Sequence, residues 1–278
     1  MNRPDDERWS QPSELPVGDL LIDGPVTVNL PIPSSALAIG AHPDDIEFGC
    51  GATLAKWADA GCRVHHLVLT DGSKGSWDPD EDLAALVAAR VVECRAAAAV
   101  IDGAESGPSS DDRVLFLGRV DGELSNGEEE RREVARVIRS LRPAVVLAHD
   151  PWRRYRLHPD HRNAGFLSLD ALVAARDPHF FPDIGPAPHR PTSLLLWEAD
   201  LPNHVENAAG FEAAKIDALL CHASQQVTTM GIDAGRQDDL APDADVESFV
   251  AKVHHQLAAH GALATLPVGE AFHLMGDL

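Results

Sequence analysis

Short apolar runs, each too brief for a helix, alternate along this chain with longer helix-like segments, and that alternation most limits how it can fold. Residues 36–40, 63–70, 114–117, 144–148 and 193–197 read as strands, and the first is apolar throughout, as in a strand buried on both faces. A shorter strand is expected at 26–30. Residues 50–60, 83–101, 128–141, 161–175, 213–221 and 246–260 read as helices. Gly61 stops the first helix, Pro143 follows the third, and acidic residues before Leu83 suit the positive end of a helix dipole. This order predicts an α/β fold: a single Rossmann-like domain with a mostly parallel sheet and helices on both faces. Residues 1–22, rich in Pro, Asp and Ser, read as a polar tail, and 23–278 as the one domain. Sites in such folds lie at the carboxyl ends of strands.

Charge removes several function classes. Against 23 Lys and Arg stand 44 Asp and Glu, a formal net charge of −21. That field repels phosphate backbones and anionic lipid, so neither nucleic acid nor a membrane is expected as a partner. The acidic runs at 78–82, 128–130 and 237–247 read as solvated loops and helix starts. Cys50, Cys62, Cys94 and Cys221 form no Cys-x-x-Cys pair, as suits thiols in a reducing cytoplasm. Residues 1–14 hold no apolar signal core, and no run reaches the ~20 residues needed to span a bilayer. A cytoplasmic protein is expected, with a homo-oligomer left open.

Two motifs carry chemistry. The 36–40 strand runs into Ala41-His42-Pro43-Asp44-Asp45. A nucleotide-binding fold would place a Gly-rich turn here; two carboxylates and an imidazole instead repel phosphate and attract a cation. Pro43 stiffens the turn and biases His42 toward extended backbone. Neighbouring carboxylates project differently, so one can ligate while the other holds water. After the 144–148 strand come His149-Asp150-Pro151, a basic loop, and His158-Pro159-Asp160-His161. Proline favours the first helical position, which makes His158 the cap and places His161 in the first turn on the same face. One imidazole can bind metal while the other faces substrate. Either motif alone reads as an acidic or histidine-rich loop. Both at strand ends predict a metal site, and two His with one Asp leave a fourth position for water, as in catalytic zinc sites. His149 ranks below this set. His65 and His66 read as strand packing, and His179, His189 and His204 as loop residues. His and Asp equally accept iron, manganese or cobalt.

These residues resemble the PIG-L/LmbE-like family of metal-dependent N-acetylglucosaminyl deacetylases. The resemblance spans roughly 36–225. Its two specific signatures are the Ala-His-Pro-Asp-Asp turn and the His-Pro-Asp-His segment. Weaker matches are the 70–75 loop, Arg90 with Glu93, Asp121-Gly122, Lys215 and 222–225. The resemblance implies that His42, Asp45 and His161 hold zinc, that Asp44 is the general base, and that His158 stabilises the oxyanion or acts as general acid. It also implies that Arg90 and Asp121 contact the sugar. No other cofactor is implied. Where the family often has Glu after the second Asp, this chain has Ile46 and then Glu47. Its only tyrosine, Tyr155, lies in a basic loop that either reads an acidic substituent or balances nearby acids.

The expected activity is therefore zinc-dependent removal of an N-acyl group, acetyl above all, from an amino-sugar-containing small molecule. An ionised Asp44 and a protonated His158 predict a bell-shaped pH dependence. The alternatives are an amidase of another small amide, such as a thiol conjugate, and a non-catalytic sugar- or metal-binding protein.

Overall fold

A computed structural model describes residues 25–103, 113–232 and 242–278. The expected 1–22 tail lies outside the described residues. Eight strands form one sheet: β1 (Thr27–Val28), β2 (Ser35–Gly40), β3 (Arg63–Thr70), β4 (Val114–Arg119), β5 (Val145–His149), β6 (Ser193–Trp197), β7 (His204–Asn207) and β8 (Gly269–Gly276), in spatial order β1-β7-β8-β6-β5-β2-β3-β4. All pairings are parallel except those of β8, which runs antiparallel between β6 and β7. The helices are α1 (Asp45–Asp59), α2 (Leu83–Ile101), α3 (Glu128–Leu141), α4 (Pro159–Arg176), α5 (Glu212–Leu220) and α6 (Pro242–Ala262). Among the described residues, no helix is long and apolar enough to cross a membrane.

The central strands serve two cores because successive side chains point to opposite faces. Ala36, Ala38, Val145 and Leu147 pack with Leu54 and Trp57 of α1 and Ala97 of α2. Leu37, Ile39, Val146 and Ala148 pack with Ile138 of α3 and Leu167 of α4. Strand β2 is followed by β3 on one side but pairs with β5 on the other. The crevice at that change of direction is where an open α/β sheet receives its ligand, and both sequence motifs emerge there.

Most predicted elements lie within two residues of their expected bounds; α6 starts four residues early, and α1 departs furthest. It begins at Asp45, five residues before the expected start, because it is two helical pieces joined at Cys50 (φ −150°, ψ 20°). A break leaves carbonyls and N–H groups without helical partners. Lys215 of α5 donates from Nζ to Phe48 O (2.7 Å), and the Glu270 carboxylate of β8 accepts from Ala52 N (3.1 Å) and Thr53 N (2.7 Å). The two side chains also pair with each other at 2.6 Å, both buried. Gly49 lies against Trp197, where an added Cβ would meet the indole at 2.6 Å. At α2, a single Asp82 cap accepts from Ala84 N and Ala85 N, and no acid lies in the first turn. Strands β7 and β8 were not foreseen; His204, expected in a loop, is the first residue of β7.

Lys215→Ala leaves Glu270 charged and buried without its cation. Urea unfolding is expected to show a loss of about 3–5 kcal/mol, the scale of breaking a buried pair from one side. A loss under 1 kcal/mol would mean that the broken helix does not depend on this pair.

Candidate metal centre

The turn after β2 and the start of α4 bring three candidate ligand residues together, with Asp45 meeting the two imidazoles through different carboxylate oxygens. His42 Nδ1 lies 3.2 Å from His161 Nε2 and 3.3 Å from Asp45 Oδ2, and His161 Nε2 lies 3.2 Å from Asp45 Oδ1. A tetrahedral zinc with ligand bonds of ~2.0–2.1 Å separates its ligand atoms by roughly 3.3 Å, so these residues fit such an ion. Clusters of metal-ligating type among the described residues include His42-His158-His161, Asp45-His149-His161 and His42-Asp121-Asp160.

Each candidate ligand is held from behind. His42 directs Nε2 to Asp121 Oδ1 (3.0 Å) and Asp160 Oδ2 (3.4 Å), which places its proton on Nε2 and frees Nδ1 to ligate. Burial opposes a charge on His42, yet Asp121, Asp160 and Asp45 hold its pKa well above the ordinary range. A bound cation would take the place of that stabilised proton. Asp45 accepts from His42 N (2.6 Å) and faces His149 Nε2 (3.2 Å). Burial pushes its carboxyl up, but His161 and His149 outweigh this and hold it well below the usual range. Trp197 Nε1 donates to His149 Nδ1 (3.1 Å), so the His149 proton lies on Nε2, toward Asp45. His161 Nδ1 accepts from Arg156 (2.8 Å). The same Arg156 nitrogen lies 2.6 Å from Glu198 Oε2, which holds the guanidinium beside the ring.

Asp44 behaves differently from its neighbour. Its backbone has φ 125° and ψ −26°, a region that L-residues avoid and that costs on the order of 1–3 kcal/mol. The carboxyl is buried, lines the cleft and lies 3.5 Å from Arg90 Nη2. Burial raises its pKa to about 6, against the opposing pull of Arg90. Arg90 is also buried and donates to Gly72 O (2.9 Å) and Pro43 O (2.6 Å). Gly72 (φ 65°) permits this approach, since a Cβ there would meet the guanidinium at 2.6 Å. Arg90, expected to touch substrate, lines the cleft and also holds the Asp44 turn. Asp121, expected in the same role, spends Oδ1 on His42 and Oδ2 on Lys74 N (3.0 Å).

His158 caps α4: its Nδ1 accepts from Asp160 N (3.3 Å). Burial and the neighbouring His42 and His161 lower its pKa. Both effects disfavour the expected imidazolium, and with Nδ1 accepting at the cap a ring proton lies on Nε2. A neutral Nε2–H is still a hydrogen-bond donor.

Some contributors were not singled out in the sequence. Asp160 is fully buried and accepts from Gly122 N (2.6 Å) and Leu124 N (3.3 Å), tying α4 to the loop after β4. Its place between two motif histidines was the available signal. Glu198 also lines the cleft; burial pushes its pKa up, but His149, Arg156 and Arg153 bring it to about 2. Glu47 does not line the cleft: it is buried 3.4 Å from His222 Nε2 and 3.7 Å from His66 Nδ1. The basic loop balances acids. Arg154 pairs with Asp200 (2.8 Å) and Arg156 with Glu198, while Tyr155 is 95% exposed and does not line the metal cleft.

The model for the PIG-L family, described as GlcNAc-PI de-N-acetylase, matches residues 37–172. The chain is 35% identical over 192 residues to the diacetylchitobiose deacetylase of Thermococcus kodakarensis, covering 68% of this chain and 69% of that protein. It is 30% identical over 171 residues to the 1D-myo-inositol 2-acetamido-2-deoxy-alpha-D-glucopyranoside deacetylase of Streptomyces scabiei, spanning 54% of this chain and about half (51%) of that one. The solved N,N'-diacetylchitobiose deacetylase of Pyrococcus horikoshii superimposes with a TM-score of 0.74 at 27% identity, covering 88% of this chain and 84% of that one.

If His42 is oriented as described, Asp121→Asn keeps the fold but weakens divalent-metal affinity about 10- to 100-fold, the usual cost of losing a carboxylate behind a ligating His. Asp45→Ala should abolish stoichiometric metal. Metal titration with a competing chelator measures both; wild-type affinity in Asp121→Asn would show that the carboxylate does not set the ligand.

Proposed function

The chain belongs to the PIG-L family of de-N-acetylases, and from that membership we propose that it hydrolyses the N-acetyl group of an amino-sugar-containing small molecule. His42, Asp45 and His161 would hold the metal, zinc or a similar divalent ion. The observation that carries this reading is the divergence of two adjacent carboxyls. Asp45 is held ionised among imidazoles, whereas Asp44 is pushed up to about 6 at the cleft wall. Environments that separate neighbouring pKa values mark acid–base assignments.

A bound divalent ion polarises the amide carbonyl and acidifies water. Asp44 then accepts a proton from the attacking water as its oxygen bonds to the carbonyl carbon. His158 Nε2–H donates to the carbonyl oxygen as negative charge grows there. Collapse breaks the C–N bond, and protonated Asp44 returns its proton to the departing nitrogen. Water and amide are consumed; acetic acid and the amine result, and near neutral pH they exchange a proton to become acetate and ammonium. Arg90 keeps the Asp44 turn in place throughout. The cleft of about 610 Å³ also presents Gln225, Thr228 and Gln256 to a hydroxyl-rich ligand.

Asp44→Asn is expected to keep metal and lose turnover by roughly 10²–10⁴, the range for a general acid–base group. Acetate release from N-acetylated amino sugars, measured beside metal content, tests this; normal turnover in the variant would remove Asp44 as the base. His158→Asn can still cap α4 through its side-chain oxygen but lacks the Nε2 donor. Its kcat should fall by about 10²–10³ with metal retained, and a wild-type rate would reduce His158 to a helix cap.

A further inference from the structure

Trp77 is the most exposed described tryptophan: 81%, against 55% for Trp152, 1% for Trp197 and 0% for Trp57. Leaving so large an apolar ring in water forgoes its burial energy, which calls for a reason. The indole lies at the mouth of the metal cleft. That cleft and a neighbouring hollow of about 530 Å³ share Gly75, Trp77 and Thr228 as a common wall. A ligand leaving the metal cleft in that direction crosses the indole.

The ring is carried on a fixed segment. Gln225, itself 2% exposed, donates to Gly75 O (3.2 Å). Ser76 donates its hydroxyl to Glu81 (2.9 Å) and accepts from Asp78 N (3.1 Å), and Asp78 in turn accepts from Asp80 N (2.9 Å). Both neighbours of Trp77 are thereby anchored, while among the described residues the indole makes no hydrogen bond or ring contact.

The chemistry of the two hollows differs. The deep end of the cleft is ionic, with His42, Asp44, Asp45 and His161, and suits the reacting amide. At Trp77 the surface offers an aromatic face, and the hollow beyond it has apolar Leu86 and Val227 with the carboxylates of Asp78 and Glu81. A pyranose ring has an apolar C–H face and a hydroxyl edge, which complements an aromatic face bordered by polar groups. The carboxylates disfavour an anionic group at that position.

We propose that Trp77 is a specificity-determining platform: the ring attached beyond the reacting sugar lies on the indole, and the carboxylates there favour that ring uncharged or cationic. This rests on the deacetylase reading. The test compares acetate release by the metal-loaded full chain from N-acetylglucosamine and from N,N'-diacetylchitobiose, in wild type, Trp77→Ala and Trp77→Phe. Wild type should prefer the disaccharide. Trp77→Ala should lower its kcat/KM about 3- to 10-fold, the scale of losing one contact on an aromatic face, with a much smaller fall on the monosaccharide; Trp77→Phe should recover most of the loss. Equal losses on both sugars, or none on the disaccharide, would overturn the platform. If neither sugar releases acetate, the deacetylase reading fails for these sugars, and calorimetry judges the platform separately. Disaccharide binding that exceeds monosaccharide binding and weakens in Trp77→Ala supports it; equal or absent binding overturns it.

Discussion

A carboxylate buried among imidazoles needs opposite charge at hydrogen-bond distance, and the region around Asp45 is built to meet that demand. Moving an ion out of water costs several kcal/mol unless partners replace the solvent. Asp45 finds a backbone N–H from His42 and imidazole nitrogens from His42, His149 and His161. Each of those rings needs its own orientation, and each receives it from a different part of the chain: Asp121 and Asp160 for His42, Trp197 for His149, and Arg156 for His161. One buried charge thereby links the ends of β2, β4, β5 and β6 with the start of α4.

The same demand accounts for the irregular backbone nearby. Asp45 opens α1, so Asp44 must turn the chain at a φ that L-residues avoid. Arg90 bridges Pro43 and Gly72, and Lys215 with Glu270 holds the helix where it breaks. The Arg90 and Glu93 pair gains a physical meaning here. One residue grips the metal turn, while the other accepts from Ser224 N (2.9 Å) and its hydroxyl (2.6 Å), fixing the segment from which Gln225 reaches the cleft.

Period and punctuation made most of the fold legible. The all-apolar 36–40 run, the Val-rich β3 and the Pro143 boundary are local signals, and local signals survive folding. Strands β7 and β8 escaped because their polar members, His204, Glu206 and Glu270, read as exposed. They are buried only because distant partners such as Lys56 and Lys215 satisfy them. The break in α1 was hidden for the same reason. At the metal centre the two motifs and their meeting point were readable from strand ends. The contacts that Asp121, Arg90 and His149 make were not, since the direction of a side chain depends on neighbours more than 40 residues away in sequence. His158 shows both sides: its cap position follows from Pro159, but its lowered pKa follows from two histidines brought beside it by the fold.

Fold alone does not choose a reaction; the site does. On the proposed activity, hydrolysis turns one neutral amide into an acetate anion and, near neutral pH, an ammonium. Asp44, Asp45, Asp121, Asp160 and Glu198 all lie at or beside the cleft, in a chain of net charge −21. Such a field assists departure of the anion and favours the cation. In the reverse direction it would oppose entry of acetate, so the electrostatics suited to a metal would also slow rebinding of the released anion. On that activity, the acidity of the chain and the chemistry of its cleft are one property seen at two distances: close in, it would hold a cation; farther out, it would clear an anion.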